Sequence, residues 1–324
     1  GDIQAEVEIP LATFETPLWA SCERGIKAAN RAGGIQITIT DDQMTRSIIL
    51  ESRTAANAFH AYKKIMENQL EIAAVCETTS RFLRFKSIHI ELVARLLYIR
   101  FSFTTADASG HNMSTIAAQK ASDWITQHIA DLQYISISGN ICCDKKTSAI
   151  NGILGRGKSV IAEVTLSKRI CQSYFHCHPQ EIVNLNIKKN LLGSILAGSV
   201  RSANAHVANM LLAFYLATGQ DAANIVEGSQ AITFCELDGD ALYFSVTLPN
   251  LIVGTVGNGK DLPFVKEILQ RIECLEKKDT GSNARRLSAL AASAVLAGEL
   301  SLLASQVKPH QLTQAHIQIE RKRG

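Results

Sequence analysis

Neither sign of charge prevails in this chain. Its 33 Lys+Arg against 30 Asp+Glu leave a formal net charge of +3, too small an excess to imply a nucleic-acid partner. The one basic cluster, Arg321-Lys322-Arg323, reads as a solvated tail. None of the eight cysteines forms a C-x-x-C pair. That argues against a disulfide framework or a zinc site and for a reducing compartment, where thiols serve as small buried hydrophobes. Apolar runs of membrane-spanning length are missing too: residues 207–218 are too few, and residues 287–304 contain Glu299. A cytoplasmic location is expected, or a cytosol-facing one if the segment belongs to a longer membrane-anchored chain. A longer parent is itself expected, because Gly1 stands where a starting Met would and no signal peptide is recognisable. No internal repeat, low-complexity tract or linker divides the sequence.

What is present is 46% hydrophobic and 19% charged, a globular balance, on a length that accommodates two domains at roughly 150 residues each. From residue 47 the periodicity changes in a recognisable order. A short strand (47–51) precedes a helix (54–75, through Ala58, Tyr62, Ile65 and Leu70), two alternating strands (82–92 and 96–103), a second helix (112–131) and a last strand (133–138). That is β-α-β-β-α-β, the split unit of a ferredoxin-like fold. The flanks are Ala-rich and helical. Residues 204–218 predict a buried helix capped by Gly219, and a strand over 241–247 leads into Gly254-Thr-Val-Gly-Asn-Gly259. The expected class is α+β: a large helical-core domain (1–46 and 140–324) with an inserted ferredoxin-like domain (47–139).

Three chemistries compete for SGNICCDKKTSAINGILGRGKS, residues 138–159. Its end fits G-x-x-x-x-G-K-S, but a phosphate loop needs a strand before it and a helix after it. Here a polar stretch of expected helix (144–151) precedes and strand-like VIAEVTL follows, so the context is reversed. Adjacent Cys142 and Cys143 could pair only through a strained ring. Cys171 with His176-Cys177-His178 has metal-ligand residue types without a second pair at metal spacing, and reads as a loop before Pro179. Asp144-Lys145-Lys146 remains. A charge run is ordinarily a solvated face, yet an ammonium held beside a carboxylate suits an oxyanion, and the pattern alone leaves both open.

The wider sequence resembles 3-hydroxy-3-methylglutaryl-coenzyme A (HMG-CoA) reductases of the class I type. SGNICCDKKTSAINGILGRGKSVIAE carries the likeness, together with IPLATFETPLWASCERG, TTSRF, DASGHNM, NIKKNLLGS, NAHVANM, ATGQDAANIVEGS, VTLPNLIVGTVGNG and NARRLSALAASAVLAGELSLLA in the family's order. The resemblance implies two successive hydride transfers from NADPH that convert HMG-CoA to mevalonate and free coenzyme A. It implies roles as well: Lys145 as the cation on the developing oxyanion, Glu15 as the acid near the carbonyl, Asp221 as the carboxylate coupling them, and His316 as the acid for the departing thiolate. Arg46, Lys146 and Lys189 would hold the substrate carboxylate, with Ser138, Asp144, His206 and Asn209 beside them. Ser21, Arg24 and Ser301 would line the coenzyme A site. For the cofactor, Ser80, Arg81 and Phe82 would meet the 2′-phosphate, and Asp107, Ser109, Gly110 and Asn112 would open a helix toward the diphosphate. No metal is implied. A homodimer or larger assembly with the site across the subunit interface is, and a cis peptide at Cys142-Cys143.

The chain also departs from the pattern. Thr16-Pro17 follows Glu15 where a glycine is usual, Arg201-Ser202 stands where two glycines are typical, and Asn258 replaces the middle glycine of GTVGGG. The segment from His310 to His316 is one residue longer than the family spacing, so His316 is assigned by its interval to Arg321, with His310 as runner-up. Lys322 occupies the place of a phosphorylatable serine, and control through that serine is not expected.

Overall fold

The computed structural model describes residues 6–257 and 259–320, so Asn258, the initial residues and Arg321-Lys322-Arg323 lie outside the described residues. These residues form seven strands: β1 (Gln36–Ser52), β2 (Arg84–Val93), β3 (Leu96–Thr104), β4 (Leu132–Ser136), β5 (Gly157–Leu166), β6 (Ile232–Asp238) and β7 (Ala241–Leu251). They join in one antiparallel sheet of order β2-β3-β1-β5-β7-β6, with β4 also on β1. The short strand expected at 47–51 is the end of a 17-residue strand. Its first half pairs with β5 and its second half with β3 and β4. One continuous strand therefore passes through the expected domain boundary at 46/47.

Around the second half of β1 the expected elements appear in the expected order. The sheet order β2-β3-β1-β4 is that of a split βαβ unit. Its apolar cluster includes Ile48, Leu50, Ala58, Ile65, Phe101, Phe103, Ala117 and Ile125, separate from the larger cluster. The helix expected over 54–75 is two, Ala55–Glu67 and Gln69–Glu77. Asn68 interrupts it: it leaves the helical backbone (φ −103°, ψ 28°), and both its backbone and side-chain amides donate to the Lys64 carbonyl, closing the first helix there.

The larger core surrounds the 26-residue helix Ser282–Val307. By length and mean hydropathy (1.8) this helix could cross a membrane, but 78% of its apolar window is buried inside the molecule. The buried helix Val207–Ala217 packs on it. It ends as expected at Gly219 (φ 64°), where the Gln220 amide reaches the Tyr215 carbonyl at 2.8 Å. Burial pushes the thiols of Cys22, Cys76, Cys171, Cys235 and Cys274 up to about 12, which suppresses thiolate chemistry there.

Residues 144–149 are turn, not helix, and helix is confined to Ile150–Leu154. Asn140, Cys143 and Lys145 have φ of 58°, 41° and 55°, a left-handed backbone that a right-handed helix cannot contain. The same three residues reverse the chain without the expected cis bond; the described peptide bonds include none.

Candidate active site

The turn ending in Lys145 is held from beneath by buried charge. The Arg156 guanidinium, fully buried, donates to Asp144 Oδ1 at 2.6 Å and to the Thr45 carbonyl at 2.8 Å, and its Nε lies 3.6 Å from Glu227 Oε1. Glu227, also fully buried, accepts the Lys145 amide at 3.2 Å. Burial raises its pKa, only partly countered by Arg156. Asp144 has Arg46 at 3.8 Å and His111 at 3.5 Å as further neighbours. Burial alone would raise its carboxyl; the His111 contact and the charges of Arg156 and Arg46 outweigh it and hold the group well below the ordinary carboxylate range.

Asp144 faces inward onto cations, with part of its side chain still exposed. The carboxylate that meets Lys145 is not this neighbour but Asp221, the one the resemblance implies as its coupling partner, whose Oδ2 lies 2.7 Å from the Lys145 ammonium. The Asp221 bond raises the Lys145 pKa against the pull of burial, and for Asp221 the lysine overcomes burial and lowers it. Asp221 is placed by accepting the Ala223 amide at 3.1 Å, immediately after the Gly219 turn. The result is a half-exposed ammonium, fixed through its backbone and its head, with the open side toward solvent.

The depressed Asp144 carboxyl sets a pH dependence. Its folded pKa lies below the unfolded value near 3.8, so the stabilisation is complete above that value and is lost as pH falls through the folded pKa. Acid unfolding followed by circular dichroism is expected to begin below about pH 4, with a steeper fall in stability in the native protein than in Asp144→Asn.

A second set gathers on the helix Val207–Ala217. Asn209 donates to Glu15 Oε2 at 3.0 Å, bringing the expected acid to the expected polar partner. Glu299 lies fully buried below and accepts the amides of Ala205 (2.8 Å) and His206 (2.6 Å) and the Thr233 hydroxyl (2.7 Å). Lys189 is half-buried, its pKa lowered by burial while Glu299 acts in the opposite direction. Among the described residues no hydrogen bond or ion pair joins Glu15–Asn209 to Lys145–Asp221. Ser21, Arg24 and Ser301 do meet, but in a closed helix seam. Ser21 Oγ reaches Ser301 Oγ at 3.0 Å, and Arg24 spends its guanidinium on the Ser301 carbonyl at 2.7 Å and on Ser305. Ser301 has no exposed surface to offer coenzyme A.

At the expected cofactor loop, Gly110 (φ 90°) precedes the helix His111–His128 and Ser109 lies beside a cavity of about 240 Å³. Asn112 is exposed in the first turn. Asp107 is a correction: both carboxylate oxygens are used at 2.9 Å, on the Gly281 and Ala284 amides. It caps the long helix Ser282–Val307, which has no side-chain cap of its own. Ser80 accepts the Phe82 amide at 3.2 Å, and the exposed Arg81 guanidinium lies 4.6 Å over the Phe82 ring. Arg46, Ser138 and Lys146 border the same turn region; Lys146 Nζ donates to the Asp144 carbonyl at 2.9 Å, and Ser138 is tied to Ser136. His310 is exposed just before the helix Gln311–Glu320. His316 falls within that helix, its side chain outside the described residues.

The phosphate-loop match does not survive. Gly157 opens β5, and Lys158, almost fully buried, donates to Asp42 at 2.9 Å. The glycine turn follows the helix Ile150–Leu154 and leads into a strand, the reverse of a phosphate loop. Cys171 and Cys177 are buried, and His178 caps the helix Pro179–Leu185 in a capping box with Glu181. Sequence reading passed over Arg156, Glu227 and His111. Arg156 was visible only as filler between the two glycines of the phosphate-loop match. Glu299 stands in the sequence merely as an interruption of an apolar run, which is the signal a buried charge leaves.

The profile of the hydroxymethylglutaryl-coenzyme A reductase family matches residues 2–321. A 3-hydroxy-3-methylglutaryl-coenzyme A reductase 2 of Dictyostelium discoideum is 41% identical over 98% of this chain and 61% of its own length. The 3-hydroxy-3-methylglutaryl-coenzyme A reductase of Pyrococcus horikoshii is 43% identical over 97% of this chain and 76% of its own. The chain thus spans less than two thirds of the Dictyostelium relative. Among solved structures, the class II 3-hydroxy-3-methylglutaryl-CoA reductase of Streptococcus pneumoniae bound to NADPH superposes with a TM-score of 0.75. It is 19% identical over 94% of this chain and 82% of that one, a likeness of fold alone. A family match over residues 2–321 and identity above 40% over 97–98% of the chain are more than a shared motif, and the chain belongs to the hydroxymethylglutaryl-coenzyme A reductase family.

Proposed function

We propose that the chain reduces HMG-CoA to mevalonate and free coenzyme A with two equivalents of NADPH, as a reductase of the class I type. The observation that carries this is the Lys145–Asp221 pair at 2.7 Å on a turn anchored by buried Arg156 and Glu227. The 41–43% identity to eukaryotic and archaeal relatives, against 19% to the bacterial class II protein, favours the class assignment.

NADPH would supply the hydrides. Lys145 donates a hydrogen bond to the thioester oxygen and stabilises the negative charge that develops there, a term that grows in a water-excluded site. Asp221 keeps that ammonium charged and aimed. Glu15, oriented by Asn209, supplies a proton at the carbonyl oxygen. When the carbon–sulfur bond breaks, the thiolate takes a proton from His316 and the aldehyde is reduced in turn. Arg46, Lys146 and Lys189 hold the substrate carboxylate, with Ser138 and His206 as neighbours.

The inserted unit (47–139) is the cofactor domain in this reading. Its residues fit: Arg81 is an exposed cation with no carboxylate partner among the described residues, suited to a 2′-phosphate with Ser80 and Phe82. Among the described residues no hydrogen bond or ion pair joins the Glu15 and Lys145 sets, which accords with a homodimer whose interface completes the site. Ile153, Leu192, Ile195 and Leu196, 52–89% exposed, provide an apolar face for it. A cytosolic or cytosol-facing location accords with reduced, buried thiols. Purified protein given HMG-CoA and NADPH is expected to oxidise two equivalents of cofactor per substrate, read by absorbance. No oxidation with either nicotinamide cofactor would sink the proposal and leave a binding homologue.

A further inference from the structure

Lys260 belongs to none of the sequence motifs, yet it is more than nine-tenths buried and lines the cavity of about 240 Å³ together with Asp221, Ser109 and Asn224. Its ammonium donates to the Gly219 carbonyl at 2.5 Å. Among the described residues it has no carboxylate within ion-pair distance. An ammonium has three protons to place, and a neutral carbonyl satisfies one of them. A buried cation left in that condition is costly unless an anion completes it. Asn224 on the same cavity wall is fully buried, and its Oδ1 has no partner. The cavity thus presents an incompletely paired donor and an unpaired acceptor.

What the cavity opens beside narrows the ligand. Ser109 precedes Gly110, the residue before the 18-residue helix His111–His128, whose first-turn amides carry partial positive charge. Asp107, the one carboxylate of that loop, is committed to Gly281 and Ala284, so the helix end has no anion of its own. The turn bearing Lys260 is fastened to this loop. The Thr255 amide donates to the Asp107 carbonyl at 2.7 Å, Ala108 and Val256 form a parallel bridge, and a Cβ on Gly254 would stand 2.4 Å from the Ser109 nitrogen. The segment just before Lys260 is thus pinned to the loop that precedes the helix, and Lys260 lines one cavity with Ser109 of that loop.

We propose that Lys260 is a binding residue for the diphosphate of a dinucleotide: its ammonium and the first-turn amides of His111–His128 take phosphate oxygens, and Asn224 Oδ1 accepts a ribose hydroxyl. The inference rests on the reductase reading for the identity of the ligand, NADP(H). Coenzyme A carries a diphosphate too, so binding of both is measured on the substrate-free protein by calorimetry. Lys260→Met keeps the apolar stem and removes the charge. It is expected to weaken NADP⁺ binding by about 10- to 100-fold, the loss of one charge-assisted hydrogen bond. It is also expected to flatten the dependence of that affinity on salt, while coenzyme A binding stays within twofold. Lys260→Arg, which restores the charge, is expected to recover most of the affinity and guards against a fold defect in the methionine variant. Unchanged NADP⁺ affinity with a lowered melting temperature would make Lys260 a cap for Gly219 only and overturn the inference. So would a loss confined to coenzyme A. Failure of the unmutated protein to bind NADP⁺ at all would overturn the reductase reading along with it.

Discussion

Lys145→Ala is expected to lower kcat by about 10²–10³-fold, the usual loss when one preorganised oxyanion donor is removed. Coenzyme A affinity should be nearly unchanged. The ammonium is not interchangeable with other charges of the turn. Lys146 bonds back to the Asp144 carbonyl, and Arg156 is consumed by Asp144, Thr45 and Glu227. Lys145 alone is paired with Asp221, which raises its pKa and keeps it charged through the neutral range. Because the interaction grows as charge moves onto the substrate oxygen, kcat and kcat/KM should fall together while KM stays near its original value. Steady-state kinetics with HMG-CoA and NADPH measures this; an alanine variant with unchanged turnover would remove Lys145 from the mechanism.

The second large effect is on stability. Arg156→Ala is expected to cost about 3–5 kcal/mol, because removing one member of a buried ionic cluster strands the others without solvent. Glu227 would lose its arginine in the buried interior, the Thr45 carbonyl its donor, and Asp144 its shortest contact, keeping only Arg46 at 3.8 Å and His111 at 3.5 Å. Arg100, itself buried and lowered to about 10 by burial and by Arg156, donates to the Gly155 carbonyl at 2.7 Å, which places it beside the loss but already occupied. Glu227→Gln should be milder, since burial already raises the Glu227 pKa and favours its neutral form. It can also still accept the Lys145 amide. Urea unfolding of the three proteins gives the comparison. An Arg156→Ala midpoint indistinguishable from the original would show that the cluster contributes no net stability.

Both predictions concern residues of very different visibility. Lys145 could be singled out from the order of residues, since an Asp-Lys-Lys triplet among glycines and small side chains already posed the question of an oxyanion site. Its carboxylate partner could not be found from that triplet; only the resemblance implied Asp221. The adjacent aspartate was the natural choice, and the positive φ at Cys143 and Lys145 turns the two side chains apart, so that Asp144 goes to the buried arginine and Lys145 to Asp221. Asp107 shows the same limit. Its place in a loop before a helix suggested a ligand-facing acid, whereas its carboxylate caps a different helix more than 170 positions later.

Local periodicity was sufficient for the β-α-β-β-α-β order, the buried helix ending at Gly219, and the strand after Lys158 that rules out a phosphate loop. These depend on alternation, spacing and glycine chemistry within a few residues. The family resemblance, likewise, rests on motifs read in order. Only the folded chain decided that β1 runs unbroken between the two apolar cores, that Arg156 and Glu227 support the Lys145 turn, that Ser301 is sealed in a helix seam, and that Lys260 lines one cavity with Ser109 and Asp221. Each of those joins residues far apart in sequence, and which charge meets which across such distances is settled by packing and by the cost of leaving a buried charge unpaired.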